Sequence, residues 1–225
     1  RVVAITAAMP GPTGLIPFQE RFPDRFFDVG IAEQHAVTAA AGMAMSGLRP
    51  VVAIYSTFLS RAWDQVVYDV ALHRLPVIFC LDRAGVTGPD GASHHGMYDL
   101  AMLTKVPGMR VLAPSSAQEL QQMLSDAAQL VDDGPVVIRY PRGEARQMTE
   151  SEVGCGLSAR RVVEGDGSVC VLAVGRMLET AESAAAILSD RGHRATVWYV
   201  RSCSVRDEAM LADAARHRAV VTIED

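Results

Sequence analysis

The order of apolar and polar positions divides this chain into short strands and longer helices. Apolar, β-branched runs at residues 2–6, 26–29, 51–55, 76–81, 109–112 and 136–139 predict strands, and several lack the polar alternation of a half-exposed sheet. Unbroken apolar strands fit a parallel sheet covered on both faces. Between them, residue spacing predicts helices over residues 32–46, 57–73 and 115–130. Ser115 and Ser116 with Glu119 downstream form a capping-box pattern at the start of the third, and Gly47 and Gly134 follow the first and third as stops. Ser56 or Thr57 can cap the second. This βα alternation predicts an α/β fold, a doubly wound and mostly parallel sheet, over residues 1–145.

The texture then becomes polar and Gly-containing, which predicts a linker at residues 146–167. A second βα series follows, with strands at 169–174, 195–200 and 219–223 and helices at 176–190 and 206–216. It reads as a partial second α/β domain, residues 168–225. The sequence starts in a strand-like run without Met and stops where another strand ends, so a longer protein is expected.

Composition narrows the class. The 225 residues are ample for a packed core. A formal charge of -5 argues against a general nucleic-acid binder. No apolar run is long enough for a membrane span, and the first residues form no signal peptide, which predicts a cytoplasmic chain without membrane partners. Cys80, Cys155, Cys170 and Cys203 are far apart with no C-x-x-C pair, the pattern of reduced structural thiols. Lys105 is the single lysine, so an imine mechanism has one candidate amine, and nothing around it would activate it.

Candidate chemistry gathers where strands hand over to helices. In FDVGIAEQHAVT, residues 27–38, Glu33 sits in the first turn of a predicted helix beside a strand's carboxyl end, where ligands bind in open parallel sheets. The helix terminus favours its charged form and apolar neighbours disfavour it, a balance suited to proton transfer. In YSTFLSRAWDQ, residues 55–65, Phe58 and Arg61 share one helix face, a pairing suited to an aromatic, anionic ligand. The loop DRAGVTGPDGASHHG, residues 82–96, supplies Arg83, Asp90, His94 and His95. It lacks the spacing of a dinucleotide fingerprint, and adjacent histidines in an extended loop point apart, which argues against a metal and for a hydrogen-bonding or proton-transferring role for one of them. In RYPRG, residues 139–143, Arg142 projects from a strand end with a fork suited to phosphate. Gly165-Asp166-Gly167 reads as a turn into the next strand.

Together with AAMPGPTGL at residues 7–15, these segments resemble the transketolase superfamily of thiamine diphosphate enzymes. The stretches YSTFLSRA and DRAG-x-x-G-x-D-G-x-x-H are most similar to its 1-deoxy-D-xylulose 5-phosphate synthase branch. The resemblance covers nearly all of the first domain and is weaker in the last third. It implies that Glu33 hydrogen-bonds the aminopyrimidine ring of the cofactor and that Phe58 stacks on that ring, with Tyr55 beside it. It also implies that Tyr55, Arg61, Arg83, Asp90, His94 and Arg142 line the substrate pocket, with Arg83 and Arg142 gripping a phosphate and His94 near the reacting carbonyl. The implied reaction condenses pyruvate with D-glyceraldehyde 3-phosphate, releasing CO₂, for isoprenoid, thiamine and pyridoxal synthesis. The family's N-terminal domain, which holds diphosphate and Mg²⁺, has no counterpart here, so this chain alone is expected to be inactive; the full family enzyme is a homodimer. Two alternatives are the β-type chain of a 2-oxoacid dehydrogenase and a non-catalytic module on the same fold.

Overall fold

The structure, a computed structural model, describes residues 1–225. It forms two compact units: Arg1–Val111 with Ser125–Arg142, and Leu112–Leu124 with Gly143–Asp225.

In the first unit the apolar runs become β1 (Val2–Thr6), β2 (Phe26–Asp28), β3 (Arg49–Tyr55), β4 (Ile78–Asp82), β5 (Arg110–Leu112) and β6 (Val136–Arg139). They form one sheet in the order β2-β1-β3-β4-β6-β5. The registers from β2 through β1, β3 and β4 to β6 are all parallel, so these strands present their carboxyl ends along one edge. Every residue of β4 and β6 is buried, as the apolar runs Ile78–Leu81 and Val136–Ile138 predict, and the burial extends to the charged residues that end them, Asp82 and Arg139.

The helices are α1 (Ile16–Arg21), α2 (Glu33–Met45), α3 (Ser56–Leu59), α4 (Asp99–Leu103) and α5 (Ala117–Leu130). Helix α2 buries Ala36, Val37, Ala40, Ala41 and Ala44, small side chains that bring its backbone close to the sheet. The helix expected over residues 57–73 is not uniform. After α3 the chain passes through a 3₁₀ turn (Ser60–Ala62) into a π-helical stretch (Gln65–Ala71), where Leu72 N–H reaches Val67 O and Leu75 N–H reaches Val70 O. Neither Ser56 nor Thr57 caps α3; Tyr55 holds that position without a side-chain bond, and Thr57 donates instead to the Ser93 carbonyl. Helices α1 and α4 were not expected, being shorter than a hydrophobic period can reveal.

The second unit contains β7 (Arg160–Val163), β8 (Val169–Val174), β9 (Thr196–Val200) and β10 (Ala219–Ile223), in the order β10-β8-β9-β7. Helices α6 (Met177–Asp190) and α7 (Glu208–Ala214) complete it. Strand β7 lies inside the stretch expected to be linker; its Val162 and Val163 suit an edge strand, which pairs antiparallel with β9 across a bulge. The capping pattern at Ser116 is half realised. Ser116 Oγ accepts the Glu119 N–H, but the Glu119 carboxylate turns away from the helix start to Arg201 and the Gly154 N–H. Asp166 accepts the Ser168 N–H at 2.9 Å and makes the turn into β8.

Candidate active site

The carboxyl edge of the first sheet is held open by short polar contacts. Asp28, at the end of β2, accepts the N–H groups of Ala8 and Gly30. Gly30 takes a φ of 69°, so the chain turns sharply and delivers α2 at Glu33. Glu33 is 3% exposed, and its carboxylate is met by the Arg61 guanidinium at 3.2 Å. A buried carboxylate requires such a partner. Arg61, whose side chain is 56% exposed, connects it to the surface.

The end of β3 and the start of α3 add an aromatic pair. Tyr55 and Phe58 lie stacked with centroids 5.6 Å apart and planes 12° from parallel. His94 meets Phe58 edge-on at 5.5 Å and Tyr55 at 6.3 Å. Its Nδ1 lies 2.9 Å from Ser93 Oγ, which orients the ring. His95 has a different part: its Nδ1 is 3.1 Å from the Thr87 N–H, which can only donate, so that nitrogen is an acceptor and the ring is a strut inside the loop.

The loop after β4 is closed by a pair of backbone bonds between Gly85 and Gly96. A Cβ at Gly96 would lie 2.5 Å from Arg83 O and 2.6 Å from Ser56 Oγ, so only glycine permits this approach. The closed loop brings Asp90 between two arginines. Arg83 Nε is 3.0 Å and Arg142 Nε 3.2 Å from the same carboxylate oxygen. The Arg83 guanidinium also lies 3.9 Å from the Tyr55 ring centroid, within cation–π range. Burial pushes the Tyr55 phenol upward while the Arg83 charge opposes it, so the hydroxyl remains a donor at neutral pH.

All eight residues expected at the site therefore sit on this edge, in two groups: Glu33 with Arg61, and Tyr55, Phe58, Arg83, Asp90, His94 and Arg142. Phe58 and Arg61 connect the groups through the α3 segment. Two features were missed. Asp82, the last residue of β4, is buried and bound to Arg83. Three positions before Arg142 in the chain, Arg139 forms an ion pair with Asp99 at 2.9 Å with both side chains 2% exposed. A separate cavity of about 110 Å³, lined by Ser56, Leu59, Trp63, His95, Met102 and Leu103 among others, contains none of the expected site residues.

An aminopyrimidine needs a desolvated carboxyl and an aromatic wall, and Glu33 with the Tyr55–Phe58 stack offers both. A diphosphate with its metal needs grouped oxygen ligands. No three or more His, Cys, Asp or Glu side chains come together as a metal site in this chain.

The chain is 56% identical to a 1-deoxy-D-xylulose-5-phosphate synthase of Mycobacteroides abscessus over 227 aligned residues, covering 100% of this chain and 35% of that protein. It is 53% identical to the synthase of Mycobacterium avium, covering 100% of this chain and 36% of that protein. The chain thus spans about a third of the length of these relatives. Among solved structures, a split-gene transketolase, described as an inactive beta4 tetramer, superposes with a TM-score of 0.87 at 30% identity, over 100% of this chain and 73% of that one. The transketolase of Campylobacter jejuni superposes at 0.84 with 16% identity, over 100% and 39%, a likeness of fold. The transketolase pyrimidine-binding domain matches residues 1–148 and the transketolase C-terminal domain residues 158–225, and the chain belongs to the transketolase family.

Proposed function

We propose that this chain supplies the pyrimidine-facing half of the active site of a thiamine diphosphate-dependent synthase that condenses pyruvate with D-glyceraldehyde 3-phosphate to 1-deoxy-D-xylulose 5-phosphate and CO₂. The observation that carries this reading is the convergence of a buried carboxylate, a stacked aromatic pair and two arginines on the carboxyl edge of one parallel sheet. The relatives above, synthases rather than dehydrogenase β chains, support the choice of reaction. In this reading residues 1–145 form the pyrimidine-binding module, residues 146–167 a connection, and residues 168–225 part of the C-terminal domain. The N-terminal part of the same enzyme holds the diphosphate and Mg²⁺, and the assembled enzyme is a cytoplasmic homodimer.

When bound, the cofactor supplies a stabilised carbanion equivalent at its thiazolium carbon, and the protein supplies position and protons. Glu33 holds a ring nitrogen of the pyrimidine by a hydrogen bond, and Arg61 fixes that carboxylate in place. Phe58 and Tyr55 give the ring a rigid wall. His94, oriented by Ser93, stands where it can move a proton at the aldehyde oxygen. Arg83 and Arg142 grip the aldehyde's phosphate, with Asp90 holding the two like charges together. A non-catalytic module would have no use for this set.

The test restores the remaining domains and measures product formation with and without Glu33→Ala. Loss of at least about a hundredfold in rate is expected for a group that acts in proton transfer. A Glu33→Ala enzyme as active as its parent would remove Glu33 from the mechanism.

A further inference from the structure

The end of β4 carries a clamp whose target is its own neighbour. Asp82 is 6% exposed. One of its carboxylate oxygens accepts the Arg83 N–H at 2.7 Å, and the other accepts NH1 of the Arg83 guanidinium at 2.5 Å. A single side chain thereby holds both the backbone and the tip of the next residue. Arg83 requires such a hold, because its φ of 61° lies in the left-handed region that a residue with a Cβ seldom occupies. Burial pushes the Asp82 carboxyl upward and the Arg83 charge opposes it, so each group depends on the other.

The consequence is felt at the far end of the Arg83 side chain. With NH1 on Asp82 and Nε on Asp90, the guanidinium plane is fixed 3.9 Å from the centre of the Tyr55 ring. Its NH2 edge is the one that neither carboxylate uses. Arg142 approaches the same Asp90 oxygen with its Nε, at 3.2 Å. Two guanidiniums this close repel each other unless carboxylates lie between and beside them, and Asp90 and Asp82 occupy those places. An anion would then meet outer donors from two arginines whose inner donors are already spoken for.

We infer that Asp82 is a positioning residue for anion recognition: by locking Arg83 in its left-handed backbone and turning its guanidinium onto Tyr55, it aims the arginine pair at a phosphate that Asp82 itself does not touch. The inference rests on the proposed reading of Arg83 and Arg142 as the phosphate grip. It goes further in naming the residue that sets the selectivity of the site for a phosphorylated over an unphosphorylated aldehyde.

Asp82→Asn separates the two bonds, since an amide oxygen can still accept the Arg83 N–H while its NH₂ cannot accept from the guanidinium. In the intact gene product, steady-state kinetics with D-glyceraldehyde 3-phosphate and with D-glyceraldehyde give the ratio of kcat/KM values for the two. Asp82→Asn is expected to raise KM for the phosphorylated aldehyde about tenfold, the scale of one misplaced charge-assisted hydrogen bond, and to cut the ratio by the same factor. KM for pyruvate is expected to stay within about twofold, because pyruvate carries no phosphate for the arginine pair to grip, whereas a purely structural defect would depress the use of both aldehydes alike. Arg83→Ala, measured alongside, separates the two layers of the argument. If it leaves the ratio intact, the phosphate grip itself is misassigned. If it destroys the ratio while Asp82→Asn preserves it, the grip stands and the positioning role of Asp82 is overturned. Where Asp82→Asn does not fold, Asp82→Glu keeps the charge but displaces it by one methylene; it too is expected to lose the ratio, and full retention would overturn the proposal.

Discussion

Replacing Arg139 by Met tests how the site is held to the sheet. Arg139 is the last residue of β6, three positions before Arg142, and its Nε donates to Asp99 at 2.9 Å with both side chains 2% exposed. The other oxygen of Asp99 accepts the N–H of Leu100 at 2.7 Å, so the pair joins the start of α4 to the end of β6. Removing the guanidinium leaves a carboxylate without its counter-charge in a dry setting, a loss of about 3–5 kcal/mol. An exposed pair in the same unit provides the comparison. Arg49 meets Asp132 at 2.6 Å, but the side chains are 29% and 64% exposed, and breaking a pair of that kind costs about 0–1 kcal/mol.

Urea unfolding followed by tryptophan fluorescence measures the difference. Trp63 belongs to the first unit and Trp198 to the second, so a Trp198→Phe background confines the signal to the unit under test. With a urea m-value of about 2 kcal/mol/M, Arg139→Met is expected to lower the midpoint by about 1.5–2.5 M and Arg49→Met by less than about 0.5 M. Asp99→Leu with Arg139→Met removes both charges of the pair, and it is expected to recover most of the loss because the Asp99 carboxylate is no longer buried without its counter-charge. Equal shifts for Arg139→Met and Arg49→Met would refute the reasoning, since burial would then have no part in the value of the pair.

Other consequences are simpler to read. Burial pushes the Cys80 thiol up to about 12 and raises that of Cys170, so iodoacetamide at pH 8 is expected to label the exposed Cys155 while both buried strand cysteines stay unmodified until the protein is denatured; mass spectrometry of the digests decides it. Gly96→Ala places a methyl 2.5 Å from Arg83 O, so loss of the loop after β4, seen as fast amide exchange at Gly85, is expected even where the rest of the sheet stays protected. The Thr149 hydroxyl and N–H hold the Glu152 carboxyl below its usual range, so its contribution is present above the unfolded carboxylate pKa and is lost as pH falls through the lowered folded value. Glu152→Gln is accordingly expected to flatten part of the acid limb of the stability curve.

What could be read before the structure, and what could not, follows from how far apart the cause and the effect lie along the chain. The strand runs are legible because burial on both faces writes itself into consecutive residues: VVAI at 51–54 and VVI at 136–138 need no partner to be recognised. The site residues are legible as strand-end chemistry for the same reason, each sitting within a few positions of an apolar run. Pairing is not local. Glu119 reads as a capping residue from its spacing to Ser116, yet its carboxylate is committed to Arg201, a residue 82 positions on. Nothing in residues 115–119 announces that claim, and a fully buried carboxylate committed to a guanidinium does not reach back to the helix start. The helix over residues 57–73 likewise carries one apolar pattern, but its hydrogen bonds shift from 3₁₀ to π spacing.

Asp82 is the instructive case between these extremes. Its bond partner is adjacent in sequence, and the dipeptide Asp82-Arg83 at a strand end is visible from the start. What the sequence does not contain is the sign of the Arg83 φ, because the left-handed turn that Asp82 holds lies at the mouth of the loop that Gly85 and Gly96 close, residues the fold brings together. A local acid–base neighbour pair becomes a clamp only once β3 and β4 are in register, with Tyr55 beside Asp82. Register is therefore the step at which residue chemistry turns into site geometry in this fold.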